Sequence, residues 1–353
     1  MAVLKELNKK ADPFGIHRVL DKTPTLPQAA DRLNNELPIF NNEILIEVEH
    51  LNIDAASFVQ MEKETGGNAA RIGKIILENC RTRGKQQNRE SGSGGMLVGR
   101  VKQIGSKYSG PLKFKVGDRI ATLVSLTLTP LYLDEISSVD LKTHQIAASG
   151  HAVLFETGIA AKLPNDLPEK VAMALFDVAG APALVYATAR KGQNLLVIGA
   201  GGKAGTLSCV AGRQKVGSRG KVFAIEPNPG AVRDLKKLGV CDEVWTVDAT
   251  DPLAVRRMVE RATHGKLCDV VINVASVPNT EVSALMSCGL TGKIIFFSMA
   301  TSFTKVALGA EGISSSAELL FGNGYYPKHA EFVVKLAREN EKLKKLFISR
   351  YGR

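Results

Sequence analysis

The stretch NLLVIGAGGKAG, residues 194–205, joins a short apolar run to a turn rich in glycine. The apolar run that begins at Asn194 predicts a buried strand, and the segment after the glycines predicts a helix. Glycines at such a junction allow a tight turn and a close approach of a pyrophosphate to the helix N-terminus. The spacing of Gly199, Gly202 and Gly205 departs from the strict GxGxxG pattern, but the position between a strand and a helix makes the signal specific. The stretch therefore predicts a Rossmann-type dinucleotide site.

Strands and helices alternate along the chain from this turn to about residue 300. The alternation predicts βαβ units, which build a doubly wound parallel sheet. The predicted strands are 194–198, 221–226, 243–247, 269–274 and 293–297, and the predicted helices are 231–238, 252–263 and 281–288.

The first part of the chain has a different pattern. Its β-rich runs, separated by Gly, Pro and Asp, predict an antiparallel, barrel-like domain. These runs are 43–51, 96–104, 118–123 and 152–155, with a helical insert at 68–83. After Met299 we expect irregular structure and a final amphipathic helix over 327–346. The α/β fold class is therefore a Rossmann sheet (161–300) inserted in a β-rich domain (1–160 and 301–353).

The cofactor prediction rests on the glycine turn and on one carboxylate. Glu226 ends the predicted second strand, 21 residues after Gly205 (226 − 205). A carboxylate at this place accepts the ribose hydroxyls of NAD and repels the 2′-phosphate of NADP. We expect NAD as the cofactor; the alternative is a glycine turn in a non-binding domain with Glu226 merely solvated. The predicted cofactor residues here are Gly199, Gly201, Gly202, Lys203, Ala204 and Glu226.

The composition is that of a globular protein rather than a disordered one, with 44% hydrophobic and 23% charged residues. The formal net charge of +11 would suit a nucleic-acid binder, but the basic residues are spread along the chain without a nucleic-acid motif. We therefore interpret the charge as a basic surface, and the basic run 335–353 as the solvated face of a last helix. We expect no nucleic-acid partner.

The cellular compartment of the protein can be predicted from its apolar runs and its cysteines. No apolar run approaches the roughly 18 residues that span a bilayer, and the first twelve residues carry no apolar signal core. The five cysteines are scattered without a CxxC pair, which is typical of reduced thiols. We expect a cytoplasmic protein with no membrane partner.

Two levels of family resemblance can be identified. The β-rich first part, the late glycine turn and the sequence GDRI (117–120) resemble the medium-chain dehydrogenase/reductase superfamily, which implies a GroES-like barrel beside the Rossmann domain. The segments 15–20, 42–58, 92–101, 117–131 and 150–164 are more narrowly similar to the L-erythro-3,5-diaminohexanoate dehydrogenases of bacterial lysine fermentation. This resemblance implies oxidative deamination of a small diamino acid to 5-amino-3-oxohexanoate, ammonia and NADH, by a homo-oligomer (dimer or tetramer).

The chain departs from the zinc enzymes of the superfamily. The zinc-binding cysteine of their pattern falls near Asn52, and the His-Glu pair of their Gly-His-Glu motif falls on Gly95 and Met96. No Cys, His and Glu set with tetrahedral spacing remains in the sequence. We therefore expect a reaction without a metal.

Deamination needs a general base, because the amine must be neutral when the hydride leaves. By resemblance, Asp54 falls near a proton-relay position and Asp177 near the nicotinamide end, so both are candidate catalytic groups. Asp54 is equally well explained as a helix cap, and Asp177 as a cap or an ion-pair partner. Ser57 and Glu156 are candidate substrate-binding residues, each with a structural alternative. The resemblance also implies that the nicotinamide contacts Val274, Ala275, Ser298 and Met299.

Two other functions fit parts of the sequence. A zinc-free quinone oxidoreductase or enoyl reductase of the same superfamily usually prefers NADPH, and Glu226 argues against it. A non-catalytic NAD-binding sensor would need no carboxylates in its cleft, so the candidate carboxylates argue, weakly, for an enzyme. Fold alone does not fix a substrate.

Overall fold

The structure is a computed structural model that describes residues 5–88, 92–322 and 324–352. The chain divides into two compact units, Met1–Glu169 and Lys170–Arg353. The first unit carries an antiparallel sheet in the order β4-β5-β1-β2-β3-β6. Its strands are β1 Ile44–Asn52, β2 Met96–Ile104, β3 Arg119–Thr122, β4 Leu131–Asp140, β5 Gln145–Leu154 and β6 Ala160–Lys162, and its helices are α1 Ala55–Thr65 and α2 Ala69–Arg83.

The second unit contains a six-stranded parallel sheet in the order β12-β11-β10-β7-β8-β9. This is the strand order of a dinucleotide-binding Rossmann fold, with a topological switch point between β7 and β10. Its strands are β7 Asn194–Ile198, β8 Lys221–Ile225, β9 Glu243–Trp245, β10 Cys268–Asn273, β11 Cys288–Phe296 and β12 Glu318–Phe321. The helices are α3 Glu169–Phe176, α4 Gly180–Thr188, α5 Lys203–Val216, α6 Pro229–Leu238, α7 Pro252–Thr263, α8 Glu281–Ser287, α9 Phe303–Gly312, α10 His329–Glu339 and α11 Glu341–Tyr351.

The predicted fold class is confirmed: one unit has an antiparallel sheet and the other a parallel sheet with helices. The five predicted strands of the parallel sheet all form. Their apolar residues explain why, since Leu196, Phe223 and Val271 are at most 1% exposed in the core of this unit. Burying such side chains contributes roughly 1.5–3 kcal/mol each.

The C-terminal segment differs from the sequence-based domain division. Residues 301–353 were expected to complete the β-rich domain, but they lie in the same compact unit as the parallel sheet. Strand β12 pairs in parallel with β11, and Val333, Leu336 and Phe347 of the last two helices are fully buried. The predicted irregular segment after Met299 therefore contains a helix and a sixth strand.

Two predicted helices are also divided differently. The expected last helix, 327–346, is two helices, because Asn340 is extended and its side chain accepts a hydrogen bond from the Leu343 amide to begin α11. The insert expected at 68–83 is α2, and a further helix, α1, precedes it. The αL residue Gly66 ends α1.

Two expectations about protein class can be compared with the structure. Across residues 5–88, 92–322 and 324–352, no single helix is long and apolar enough for a membrane span; α3 and α4 satisfy that test only as a pair, with a 50° bend between them. All five cysteines are free, and four of them are buried. Free cysteines agree with the prediction of reduced thiols.

Candidate functional site

The glycine turn after β7 is built by two glycines that no other residue replaces easily. Gly199 has a φ of 81°, and a Cβ there would lie 2.7 Å from the Ala275 backbone. A Cβ at Gly205 would lie 2.2 Å from the Gly199 carbonyl oxygen. The first glycine therefore makes the turn, and the second lets α5 pack directly against it.

Gly202 has a different environment. A Cβ at this position would approach only the Gly199 carbonyl oxygen, at 4.0 Å, so the protein leaves the space beside it open. Gly202 is also the N-cap of α5 and offers no side chain to its first-turn amides. An open backbone at a helix N-terminus fits a phosphate. The described residues here thus fit the pyrophosphate of a dinucleotide.

Glu226 lies directly after β8 and beside the glycine turn. Its carboxylate accepts one hydrogen bond from the Gly201 amide at 2.8 Å and another from the Asn228 amide at 2.9 Å. The side chain is nearly buried, at 9% exposed. The structure therefore places the predicted ribose-binding carboxylate against the predicted phosphate-binding turn.

The two loops predicted at the nicotinamide follow neighbouring strands. Val274 comes directly after β10, where its amide donates to the Ile198 carbonyl at 3.0 Å, and Ala275 contacts Gly199. Ser298 and Met299 follow β11, and the Met299 side chain is 86% exposed. Because the carboxyl ends of β7, β10 and β11 lie side by side, both loops share one edge of the sheet with the glycine turn.

Asp177 and Lys203, predicted separately, form an ion pair. Asp177 lies in the break between α3 and α4, and its carboxylate accepts a hydrogen bond from the Lys203 ammonium at 2.5 Å. The same ammonium lies 6.0 Å from the centre of the Tyr351 ring. The sequence alone could not reveal this pairing, because the two residues are 26 positions apart.

Arg350, in α11, contacts the glycine turn, and the sequence did not indicate this contact. Its guanidinium donates to the Gly201 carbonyl at 2.8 Å and to the Asp234 carboxylate at 2.7 Å. The basic run at the C-terminus was interpreted as a solvated face, but this arginine is only 20% exposed. Gly201 is therefore held at its N–H by Glu226 and at its carbonyl by Arg350.

In the first unit, Asp54 is the N-cap of α1 and the centre of a hydroxyl cluster. One carboxylate oxygen accepts from the Ser57 amide at 3.0 Å and from the Ser93 hydroxyl at 2.9 Å. The other accepts from the Ser57 hydroxyl at 2.8 Å. The cap that the sequence offered as an alternative is thus present, and Ser57, fully buried, lies beside the carboxylate.

The polar surroundings of Asp54 continue to a cavity. The Ser93 carbonyl accepts a hydrogen bond from the Asn88 amide at 2.9 Å, and the Asn88 side chain donates to Gln60. Gln60, Glu64, Asn79 and Asn88 are among the residues that line a cavity of about 300 Å³. A hydroxyl and amide chain therefore leads from Asp54 to a cavity with a carboxylate in its wall.

Glu156 has its oxygens occupied by neighbours in the same unit. It accepts hydrogen bonds from the Asn42 side chain at 3.0 Å and from the Ser109 amide at 3.2 Å, and Lys10 lies 3.7 Å away. Burial raises its pKa, but the hydrogen bonds from Ser109 and Asn42 outweigh burial and lower it. These contacts support the structural alternative for Glu156.

At the positions where the zinc enzymes of the superfamily carry zinc ligands, this chain has residues that cannot bind zinc in the same way. Gly95 has a φ of 101°, and a Cβ there would lie 2.1 Å from the Asn52 carbonyl oxygen. A side chain at residue 95 would therefore require the backbone to move. In the described part of the chain, no group of three or more His, Cys, Asp or Glu side chains is suitably placed for a metal ion.

Comparisons with known proteins agree with this geometry. The chain is 43% identical over 342 residues to the L-erythro-3,5-diaminohexanoate dehydrogenase of Acetoanaerobium sticklandii, covering 97% of this chain and 99% of that one. It is 43% identical over 339 residues to the enzyme of the same name from Fusobacterium nucleatum, covering 96% and 98%. An alcohol dehydrogenase structure from Thermotoga maritima shares the fold, with a TM-score of 0.56, 15% identity, and coverage of 88% of this chain and 85% of that one.

A family model gives the same result for the first unit. Residues 17–164 match the N-terminal domain of L-erythro-3,5-diaminohexanoate dehydrogenase. The match covers all six strands of the antiparallel sheet, and the two relatives extend the similarity through the parallel one. The chain belongs to the L-erythro-3,5-diaminohexanoate dehydrogenase family.

Proposed function

We propose that the protein catalyses the NAD-dependent oxidative deamination of L-erythro-3,5-diaminohexanoate to 5-amino-3-oxohexanoate and ammonia, a reaction of lysine fermentation. The observation that carries the proposal is 43% identity, over nearly the full chain, to two relatives with that name. Each unit, taken by itself, has a feature that supports the proposal: the second unit has a dinucleotide turn, and the first has a carboxylate beside a polar cavity.

NAD is the dinucleotide that the residues favour. Gly202 leaves space for the pyrophosphate, and the Glu226 carboxylate can accept hydrogen bonds from the ribose hydroxyls while repelling a 2′-phosphate. Val274, Ala275, Ser298 and Met299 would then line the nicotinamide end. Bound NAD supplies the acceptor for the hydride that leaves the amine-bearing carbon.

The chain's own residues handle the protons. The substrate ammonium must give up a proton before oxidation, and water must later add to the resulting iminium carbon before the C–N bond breaks and ammonia leaves. The second carboxylate oxygen of Asp54 accepts a hydrogen bond from the Ser57 hydroxyl, and we assign to this oxygen the proton that the substrate gives up. Ser57 and Ser93 can pass it on. Asp177 is the other candidate, and its partner is Lys203.

The substrate's charges match the surroundings of Asp54. The diamino acid carries two ammonium groups and one carboxylate. Asp54 and the cavity-lining Glu64 can attract the ammonium groups, and the amides of Gln60 and Asn88 can meet the carboxylate. Glu156 is not included in the proposed site, because its partners are structural.

We also infer that the reaction needs no metal. The reason is steric and chemical: residue 95 has no room for a ligand side chain, and residues 52 and 96 are Asn and Met instead of a thiolate and a carboxylate. Turnover that survives chelation, with no stoichiometric zinc by elemental analysis, would agree with this inference. Zinc whose removal abolishes turnover would refute it.

The same proposal covers partners and compartment. We expect a cytoplasmic homo-oligomer, and exposed apolar side chains such as Phe303, Leu308 and Phe321 in the second unit favour self-association. We expect no nucleic-acid or membrane partner. Sedimentation of the purified protein tests the oligomeric state directly. A monomer at micromolar concentration would contradict the proposed homo-oligomer.

The activity is tested with a panel of substrates. Purified protein is mixed with NAD and L-erythro-3,5-diaminohexanoate, and NADH and ammonia are measured together. Quinones, enoyl thioesters and simple alcohols, each with NADH or NADPH as appropriate, represent the competing reductases. We expect equimolar NADH and ammonia with the diamino acid and little turnover with the others. Binding of NAD without turnover of any substrate would favour the sensor.

A further inference from the structure

The ion pair of Lys203 and Asp177 lies at a definite place along the edge of the parallel sheet. Asp177 precedes α4, whose first residue, Gly180, packs so closely that a Cβ would lie 2.4 Å from the Gly324 carbonyl oxygen. Gly324 follows β12, and the nearby Gly322 amide donates to the Phe296 carbonyl at the end of β11. Asp177 is therefore on the side of β11 and β12, whereas Glu226 is on the side of β8.

The position of Asp177 shows toward which end of the cofactor path the Lys203 ammonium points. Lys203 begins α5 beside the glycine turn, and its ammonium meets Asp177 instead of Glu226. The ribose end of a dinucleotide belongs with Glu226, and the nicotinamide end belongs with the strands on the other side of the switch point. The cation thus points toward the nicotinamide end of the cofactor path, and not toward the ribose end.

Charge explains why the lysine has a carboxylate partner. The oxidised nicotinamide ring is a cation, and the substrate arrives as an ammonium, so an unpaired lysine would repel both. The pair with Asp177 has no net charge. Burial lowers the pKa of Lys203, but the Asp177 carboxylate more than offsets burial and raises it. The lysine therefore remains a hydrogen-bond donor at neutral pH.

The reaction requires a donor at the carbon that is oxidised. That carbon bears an oxygen once water has added, and it keeps the oxygen in the ketone product. Carboxylates accept hydrogen bonds but do not donate them when ionised, so Asp54 and Asp177 cannot serve this oxygen. A positioned ammonium can, and preorganised donors of this kind have large effects on catalysis.

We propose that Lys203 is a catalytic residue, donating a hydrogen bond to the oxygen that the reacting carbon acquires, and that Asp177 is the positioning residue that holds and neutralises it. The inference rests on the proposed deamination. It changes the role expected for both residues: Lys203 would serve the reacting centre instead of the pyrophosphate, and Asp177 would act through the lysine.

Ligand binding separates the two roles of Lys203. Affinities for NAD, NADH and ADP-ribose are measured for the wild type, Lys203→Met and Asp177→Asn. Asp177→Asn leaves an ammonium without its counter-charge, so the affinity for NAD, which has a cationic ring, should fall about tenfold relative to the affinity for NADH. Lys203→Met leaves a carboxylate without its counter-charge, so the affinity for NAD should rise relative to the affinity for NADH. ADP-ribose has the pyrophosphate but lacks the nicotinamide, so its affinity should stay unchanged in both.

Turnover tests the donor. Lys203→Met should lower kcat by about 10²–10³ at saturating NAD, the usual loss for one such donor. Lys203→Arg, which keeps a cationic donor, should recover part of it. The double variant with Asp177→Asn should be no slower than Lys203→Met, because the aspartate acts through the lysine. Lys215→Met, at the far end of the same helix and over the Tyr186 ring, is the control.

The outcomes are distinct. If Lys203→Met weakens ADP-ribose and NADH equally and keeps kcat, the lysine binds pyrophosphate and the inference is wrong. If Asp177→Asn loses kcat far more than Lys203→Met does, the aspartate is the base and the inference is also wrong. If the folded wild type fails to bind dinucleotides or to deaminate the diamino acid, the proposed function itself fails.

Discussion

The Glu226 carboxylate accepts a hydrogen bond from the amide of Gly201 at 2.8 Å. This bond joins the end of β8 to the glycine turn after β7, so a single side chain shapes the predicted phosphate site and faces the predicted ribose site. The second oxygen is held by the Asn228 amide. Replacing this residue should therefore affect cofactor affinity as well as cofactor choice.

Glu226→Ala should weaken NAD binding by about 1–3 kcal/mol, because a charged hydrogen bond is lost. The double variant Glu226→Ala with Pro227→Arg also places an arginine at an exposed position beside the site. It should shift the cofactor preference from NAD toward NADP by a similar free energy. Dissociation constants for NADH and NADPH give the result. Glu260→Ala, which removes a surface carboxylate of α7, is the control. Unchanged selectivity in the double variant would remove Glu226 from the cofactor site.

The glycines of the turn should separate binding from stability. Gly202→Ala adds a methyl group where the protein leaves space and where φ is −73°, so the fold should keep its stability while NADH affinity falls. Gly205→Ala adds one 2.2 Å from the Gly199 carbonyl, so it should lower the free energy of unfolding, by roughly 1–3 kcal/mol. Thermal unfolding with and without NADH measures both. A Gly202→Ala variant with wild-type affinity would contradict the phosphate site.

Asp54 can be tested as a base without removing the helix cap. Asparagine caps a helix about as well as aspartate, so Asp54→Asn should leave the stability of α1 nearly unchanged. If Asp54 is the general base, turnover should fall by about 10²–10⁴. The matched control is Asp251→Asn, because Asp251 caps α7 in the same way. Near-normal turnover in Asp54→Asn would show that Asp54 is the N-cap of α1 and not the general base.

A buried ion pair should make the first unit sensitive to acid. Glu43 and Arg18 are 1% and 2% exposed, with the guanidinium donating at 2.7 Å. Burial raises the pKa of Glu43, but hydrogen bonds from Arg18 and His17 outweigh burial and lower it below the ordinary 4.5. The pair therefore stabilises the fold above about pH 4.5 and loses that effect as the pH falls through the lowered pKa.

Glu43→Gln should cost about 3–5 kcal/mol at neutral pH, because it leaves Arg18 buried without its counter-charge. Denaturant unfolding at neutral and acidic pH measures the effect, and the difference from wild type should shrink in acid. Glu78→Gln breaks an exposed pair with Arg81 and should change nothing measurable. An equally small effect of Glu43→Gln would show that the buried pair is not needed.

The elements that the sequence predicted well are those with strong local patterns. Strands β7 and β8 are apolar runs bounded by glycine or by charged residues, and most of β10 is an apolar run that follows Asp269. The glycine turn lies between a predicted strand and a predicted helix, which are the two elements that define it. Strand β12 has only four residues, two of them exposed, on the edge of the sheet. Its short, half-exposed pattern gives no periodic signal, and only pairing with β11 makes it a strand.

The candidate site was predictable as a set of positions, but not as a set of contacts. Glu226 has a fixed place in the strand order, so its location beside the glycine turn was foreseen. The ion pair of Asp177 with Lys203, and the bond from Arg350 to Gly201, join residues far apart in the chain. Such pairs depend on how α4, α5 and α11 pack, which side-chain pattern alone does not specify.

The most direct test of the central claim follows the atoms of the diamino acid. L-erythro-3,5-diaminohexanoate carrying deuterium at C3 is oxidised by the purified protein with NAD, and the NADH and the keto product are examined by mass spectrometry. The account predicts one deuterium in each NADH, a slower rate where hydride transfer limits turnover, and a ketone at C3 with the C5 amine retained. Unlabelled NADH, or a product that has lost the C5 amine, would contradict it.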